Sequence, residues 1–111
     1  MIDKFSQKAL LLDFYGGLLT EKQKLFMSLH YEEDMSLSEI SEEFGVSRQA
    51  VHDIVKRSEK ILEEYEKELG LVKRFMIQRE KLIKAKNILM SKVDDTEIKS
   101  VIDIIDELID I

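Results

Sequence analysis

Apolar residues recur along this chain at three- and four-residue spacing, and nowhere do they alternate strictly. That is the period of helices packed through one face, not of half-buried strands. Residues 4–15 carry Phe5, Ala9, Leu11, Leu12 and Tyr15 in a helical but imperfect pattern. Gly16–Gly17 ends it, because paired glycines favour a turn and a left-handed cap. Thr20 reads as an N-cap, with Glu21 in the first turn, where the helix dipole favours an acid. The helix that follows runs to about Tyr31 and is expected to bury Leu25, Phe26 and Leu29. Glu32–Glu33–Asp34 is a solvated link.

Ser36-x-x-Glu39 is a capping box, so a short helix starts there with Leu37, Ile40 and Phe44 on one face. Gly45 stands just past its end, where a left-handed residue is wanted. Val46 is read as a buried pivot and Ser47 as the cap of the next helix, Arg48 to Leu69, which Gly70 can end. Val51, Ile54, Ser58, Ile61, Tyr65 and Leu69 follow one another at nearly 3.5-residue spacing along it, a seam that suits intramolecular packing or half of a dimer. Another helix covers about 71–92, with Val72, Phe75, Met76, Leu82, Ile83, Leu89 and Met90 inward. Asp94–Asp95–Thr96 breaks it and caps the last, about 97–110, which carries Ile98, Val101, Ile102, Ile105, Leu108 and Ile109. The apolar set of that helix is wider than one partner face needs. The pattern gives an all-α fold: a helix-turn-helix domain over 1–70 with a long recognition helix, and a C-terminal helical appendage over 71–111, packed on the first part or on a dimer partner.

Composition narrows the chemistry. The 111 residues include no cysteine and no proline, which excludes disulfides and thiol chemistry and fits long uninterrupted helices. No apolar run approaches a membrane span, and the N-terminus lacks the cleavage site of a signal peptide, so a soluble cytoplasmic protein is expected. The two histidines, His30 and His52, have no partner at metal-ligand spacing, and no phosphate loop, nucleophile motif or carboxylate pair in an apolar pattern is present. Neither an enzyme nor a cofactor is expected. The net charge of −6 speaks against nonspecific nucleic-acid binding but leaves room for a local basic patch. Such a patch exists: residues 71–92 hold Lys73, Arg74, Arg79, Lys81, Lys84, Lys86 and Lys92 against Glu80 alone, and residues 93–111 hold seven acids against Lys99. Two antiparallel helices with complementary faces explain this, and so does a basic helix that touches phosphate or an acidic partner.

The informative stretch is LSEISEEFGVSRQAVHDIVKR, residues 37–57. A short helix, a glycine turn and a capped second helix form the grammar of a helix-turn-helix. Arg48, Gln49, His52 and Lys56 lie on one side of the second helix, while Val51, Ile54 and Val55 point to the core. Arginine pairs bidentately with guanine and glutamine with adenine, and Ser47 at the helix N-terminus suits a phosphate, with Arg57 as a further cation. Glu39, Glu42, Glu43 and Asp53 flank the site and would repel phosphates that they faced.

Residues 19–62, with LTEKQ, LHY, SLSEI and GVSRQAV in order, resemble the promoter-reading C-terminal region of bacterial sigma factors. That resemblance makes Arg48, Gln49 and His52 the base-facing positions. Nearly the whole chain is similar to the YlxM family, small bacterial proteins that join this helix-turn-helix to a basic helix and an acidic tail. The resemblance implies a DNA-binding or regulatory protein. It also implies a link to the signal recognition particle pathway, whose protein or RNA would be the alternative partner, with the helix-turn-helix then a scaffold. A homodimer is expected, through either the long helix or the tail.

Overall fold

The computed structural model describes residues 3–92 and 95–110. Among them are six helices: α1 (Lys4–Tyr15), α2 (Glu21–Tyr31), α3 (Leu37–Phe44), α4 (Arg48–Leu69), α5 (Leu71–Met90) and α6 (Thr96–Ile109). They divide into two compact units, Met1–Val72 and Lys73–Ile111.

The first unit is held by α4, which packs against α1, α2 and α3. Leu11, Leu12, Tyr15, Phe26, Met27, Ile40, Val51, Val55 and Leu62 are buried between them. Side chains close the helix starts. Asp3 accepts from the Ser6 amide of α1, and Thr20 and Ser36 each form a reciprocal capping box, with Gln23 and Glu39. Ser47 accepts from the Ala50 amide. Gly45 and Gly70 end α3 and α4 at φ +64, a left-handed conformation that costs a residue with a Cβ about 1 kcal/mol or more. Asp34, in the link between α2 and α3, also stands at φ 59. The His30 ring donates to the Met35 carbonyl at 2.8 Å and closes the same link, so Nδ1 carries the proton.

Several expectations are corrected. Gly16–Gly17 form no left-handed cap: Gly16 is right-handed and opens a single 3-10 turn to Leu18. Its missing side chain serves packing, since a Cβ there would lie 3.1 Å from Leu12 Cδ1. In α2 the buried pair is Phe26 and Met27, while Leu25 is 44% exposed. Phe44 is 42% exposed, and its ring meets Phe26 at 5.2 Å across a surface groove that Leu25 and Val46 also line. Val46 is therefore half-buried rather than a buried pivot. Along α4 the buried series is Val51, Val55, Ser58, Glu59 and Leu62, not the predicted seam; Ile54, Ile61 and Tyr65 are half-buried and Leu69 is exposed. Val51, Val55, Ser58 and Leu62 form a 4-3-4 line of their own, turned round the helix from the predicted seam toward Glu59. Ser58 tolerates burial by donating to the Ile54 carbonyl at 2.7 Å.

Glu59 is 4% exposed and ionised. Burial pushes its carboxyl up, but the Tyr31 hydroxyl, which donates to it, and the Lys8 and Lys56 ammoniums at 3.4 Å more than offset that, so it sits below the ordinary glutamate range. Lys8 also meets Glu63 at 2.7 Å. One carboxylate thus ties α1, α2 and α4 together. A second polar node stands where α4 meets α5. Buried Tyr15 donates to Glu66 at 2.6 Å and accepts from the Leu71 amide, and Glu66 accepts from the Val72 amide at 3.0 Å. These contacts occupy N–H groups that the first turn of α5 would otherwise leave unpaired.

In the second unit α5 and α6 run antiparallel. Arg79 donates to the Ile109 carbonyl at 2.7 Å, and Lys86 pairs with Asp106 at 2.7 Å. Phe75, Leu82 and Leu89 of α5 are half-buried and Ile105 of α6 is buried. Ile83, Met90, Val101 and Leu108, expected inward, are exposed, because two helices can cover only one side of each other. Asp94, assigned to the break before α6, lies outside the described residues; Asp95 caps that helix.

Two predictions follow from these contacts. Gly45 has open space around its Cβ position, so Gly45→Val should destabilise by about 1–2 kcal/mol through backbone strain alone; an unchanged urea midpoint would contradict the left-handed turn. Glu59 titrates below its ordinary range, so its stabilisation is present above that range and lost as the pH falls through it. Tyr31→Phe should cost about 1–3 kcal/mol at neutral pH and flatten this acid limb. Equal denaturation profiles from neutral pH down to acid would contradict the network.

Candidate nucleic-acid interface

The turn between α3 and α4 is three residues long, Gly45 to Ser47, and Ser41 locks it. The Ser41 hydroxyl donates to the Val46 carbonyl at 2.6 Å, and its carbonyl accepts from the Val46 amide at 3.2 Å. With the turn fixed, the first turns of α4 stand at the surface. Arg48, Gln49 and Lys56 are exposed and His52 is partly so, within roughly 100° of one another at about 100° per residue. Val51 and Val55, which border the strip on its Arg48 side, are buried. The structure thus brings Arg48, Gln49, His52 and Lys56 onto one strip. Arg57 is exposed too but lies roughly half a turn round from Arg48, on a flank of its own. The Ser47 oxygen is occupied by its cap, and its hydroxyl proton remains available for an acceptor.

Acids near the strip are partly engaged. Asp53 accepts from the Gln49 amide nitrogen at 2.8 Å, and its carboxylate lies 3.5 Å from His52 Nδ1. Glu39 is held in its capping box, where the Ser36 backbone N–H keeps its carboxyl below the ordinary range. The Lys56 ammonium reaches back to Glu59 at 3.4 Å while its side chain stays 63% exposed. Sequence reasoning missed the hold of Asp53 on Gln49, although the i, i+4 spacing of the two was visible. It also missed Ser41, which reads as an ordinary exposed helix residue.

The second predicted patch divides. Arg79 and Lys86 face α6 and are paired there. Lys73, Arg74, Lys81 and Lys84 lie on other sides of α5, all exposed. Among the described residues no group of His, Asp or Glu could hold a metal ion, and no helix is long and apolar enough to cross a membrane.

Comparison with known proteins agrees with this geometry. Residues 2–105 match the model of the family described as "Putative helix-turn-helix protein, YlxM / p13 like". A UPF0122 protein of Bacillus cereus strain Q1 is 46% identical over 110 residues, covering 97% of this chain and 99% of the relative. The UPF0122 protein of Bacillus anthracis strain A0248 matches to the same extent. With a family model covering most of its length and relatives at this identity, the chain belongs to the YlxM / p13-like helix-turn-helix family.

Proposed function

We propose that this protein is a non-enzymatic regulator of transcription in the bacterial cytoplasm that binds duplex DNA through the N-terminal turns of α4. The observation that carries the reading is the exposed strip of Arg48, Gln49, His52 and Lys56 at the start of a capped helix, behind a rigid turn. A helix presented this way enters the major groove with its first residues against base edges. Arg48 would read guanine and Gln49 adenine, His52 and Lys56 would continue along the groove, and Ser47 and Arg57 would hold phosphates on either side. Sites read by this motif are two-fold, so the reading includes a homodimer. The signal recognition particle, whose protein or RNA is the alternative partner, enters through the family resemblance and the basic helix over residues 71–92.

The test is a selection. Fragmented genomic DNA retained by the protein at moderate salt should yield one enriched motif, absent with the Arg48→Ala/Gln49→Ala double variant. Both side chains are exposed, so the variant should keep its helical circular dichroism. Each lost bidentate contact should cost on the order of 1–3 kcal/mol in binding. Enrichment that is equal for protein and variant would sink the assignment.

Asp53 gives a prediction of opposite sign. Asp53→Asn removes a charge from the face and loosens the hold on Gln49. Affinity for the enriched site should rise by roughly threefold to tenfold at low salt, and less at high salt. A fall in affinity would mean that Asp53 itself contacts a base.

A further inference from the structure

We propose that two copies of this chain pair through their C-terminal hairpins, with α5 of one copy lying on α6 of the other. The proposal deepens the DNA-binding reading by naming the surface of its homodimer, and the observations behind it lie outside the helix-turn-helix.

Each helix of the hairpin has a second face that its partner helix leaves open. In α5, Arg79 and Lys86 mark the side towards α6. Roughly 160–180° round the helix from them stand Ile77 and Ile88, 43% and 61% exposed. Lys81 and Lys84 lie between the two isoleucines, exposed and without an ion pair among the described residues. In α6, buried Ile105 and half-buried Ile98, Ile102 and Ile109 form one apolar side. Beside it, Val101, Ile104 and Leu108 form another, at i, i+3 and i+7, exposed by 44%, 57% and 48%. Glu107 borders that stripe and Glu97 stands at its start.

The two open faces complement each other. One is isoleucine among lysines and the other is aliphatic beside carboxylates. Across its length α5 carries six bases against Glu80, and α6 carries four acids against Lys99. A face built only for phosphate has no use for Ile77 and Ile88 at its centre. An acid-rimmed aliphatic stripe covers them, and the lysine stems add apolar surface of their own. Both faces belong to one hairpin, so a two-fold axis makes the contact twice, as an isologous interface requires. The product is a four-helix arrangement around a shared apolar core. Pairing α6 with its own copy would instead bring Glu97 and Glu107 against like charges.

Sedimentation velocity on the full chain tests this without DNA. The wild type should be a dimer at micromolar concentration. Ile104→Glu, and separately the pair Lys81→Glu/Lys84→Glu, should raise the dimer dissociation constant on the order of 100-fold. The pair Glu97→Lys/Glu107→Lys should do the same. Mixing the two charge-reversed proteins should restore dimers, because both contacts of the mixed pair become complementary. Circular dichroism melts confirm that each variant is folded. A monomeric wild type, or a dimer that survives Ile104→Glu or Lys81→Glu/Lys84→Glu, would overturn the proposal. So would a monomeric wild type that binds an RNA hairpin of random sequence through Lys81 and Lys84, since the basic face would then belong to phosphate. The Arg48→Ala/Gln49→Ala variant should remain dimeric, so a failure of DNA reading leaves this result intact.

Discussion

The carboxylate of Glu59 is the constraint on which the first unit turns. It is taken out of water in the middle of the longest helix, and an ionised group in that position is tolerated only when it is paired and hydrogen-bonded. Its partners come from three places: Lys8 on α1, Tyr31 at the end of α2 and Lys56 one turn earlier on α4. Moving any of these helices along α4 would leave the charge buried without its donors. Apolar packing between Leu11, Phe26, Val55 and Leu62 tolerates small slides; a buried carboxylate with fixed donors does not. The network therefore contributes position as much as stability, and the position it sets is that of α4 against the scaffold that presents it.

The same strip of α4 has two uses along its length. Arg48, His52, Lys56, Glu59 and Glu63 all fall within roughly 80° of one another round the helix. At the N-terminal end the strip is exposed or half-buried, and the side chains are basic or neutral. At Glu59 the strip passes under α1 and α2, and there and at exposed Glu63 the sign of its charge reverses to meet Lys8. Change of neighbour, not change of helix face, separates the exposed stretch from the core. Simple amphipathicity describes only part of such a helix, which has to be core along one stretch and surface along another.

That is also why some of this fold was legible in the sequence and some was not. Thr20, Ser36 and Ser47 announce helix starts through hydrogen bonds that span three residues, and Gly45 and Gly70 announce helix ends through their own backbone. Local physics suffices for these, and they place the turn and the exposed start of α4. The choice between Leu25 and Met27 for the core, the right-handed Gly16 and the burial of Glu59 depend on which helix arrives from elsewhere. A glutamate in a charged stretch reads as solvated until Lys8 and Tyr31, far away in sequence, are brought to it. The hold of Asp53 on Gln49 was legible in spacing, but that it restrains an exposed side chain required the helix to be seen at the surface.

Net charge misleads for the same reason. By net charge an acidic chain is a poor partner for DNA, yet its acids are not spread evenly over its surface. Glu59 is buried and paired, Glu63 shares Lys8, Glu39 closes a capping box, and Asp106 is matched by Lys86. Once each is paired, its field is short-ranged against a Debye length of about 8 Å in physiological salt, so a phosphate at the start of α4 responds to Arg48, Lys56 and Asp53 far more than to the total. The tail obeys the same logic in reverse. There the bases of α5 and the acids of α6 are only partly matched within the hairpin, and the unmatched remainder sits beside exposed isoleucine, valine and leucine. Charge left over next to uncovered apolar surface marks a face whose complement lies outside the helix pair, and this hairpin carries both halves of such a complement.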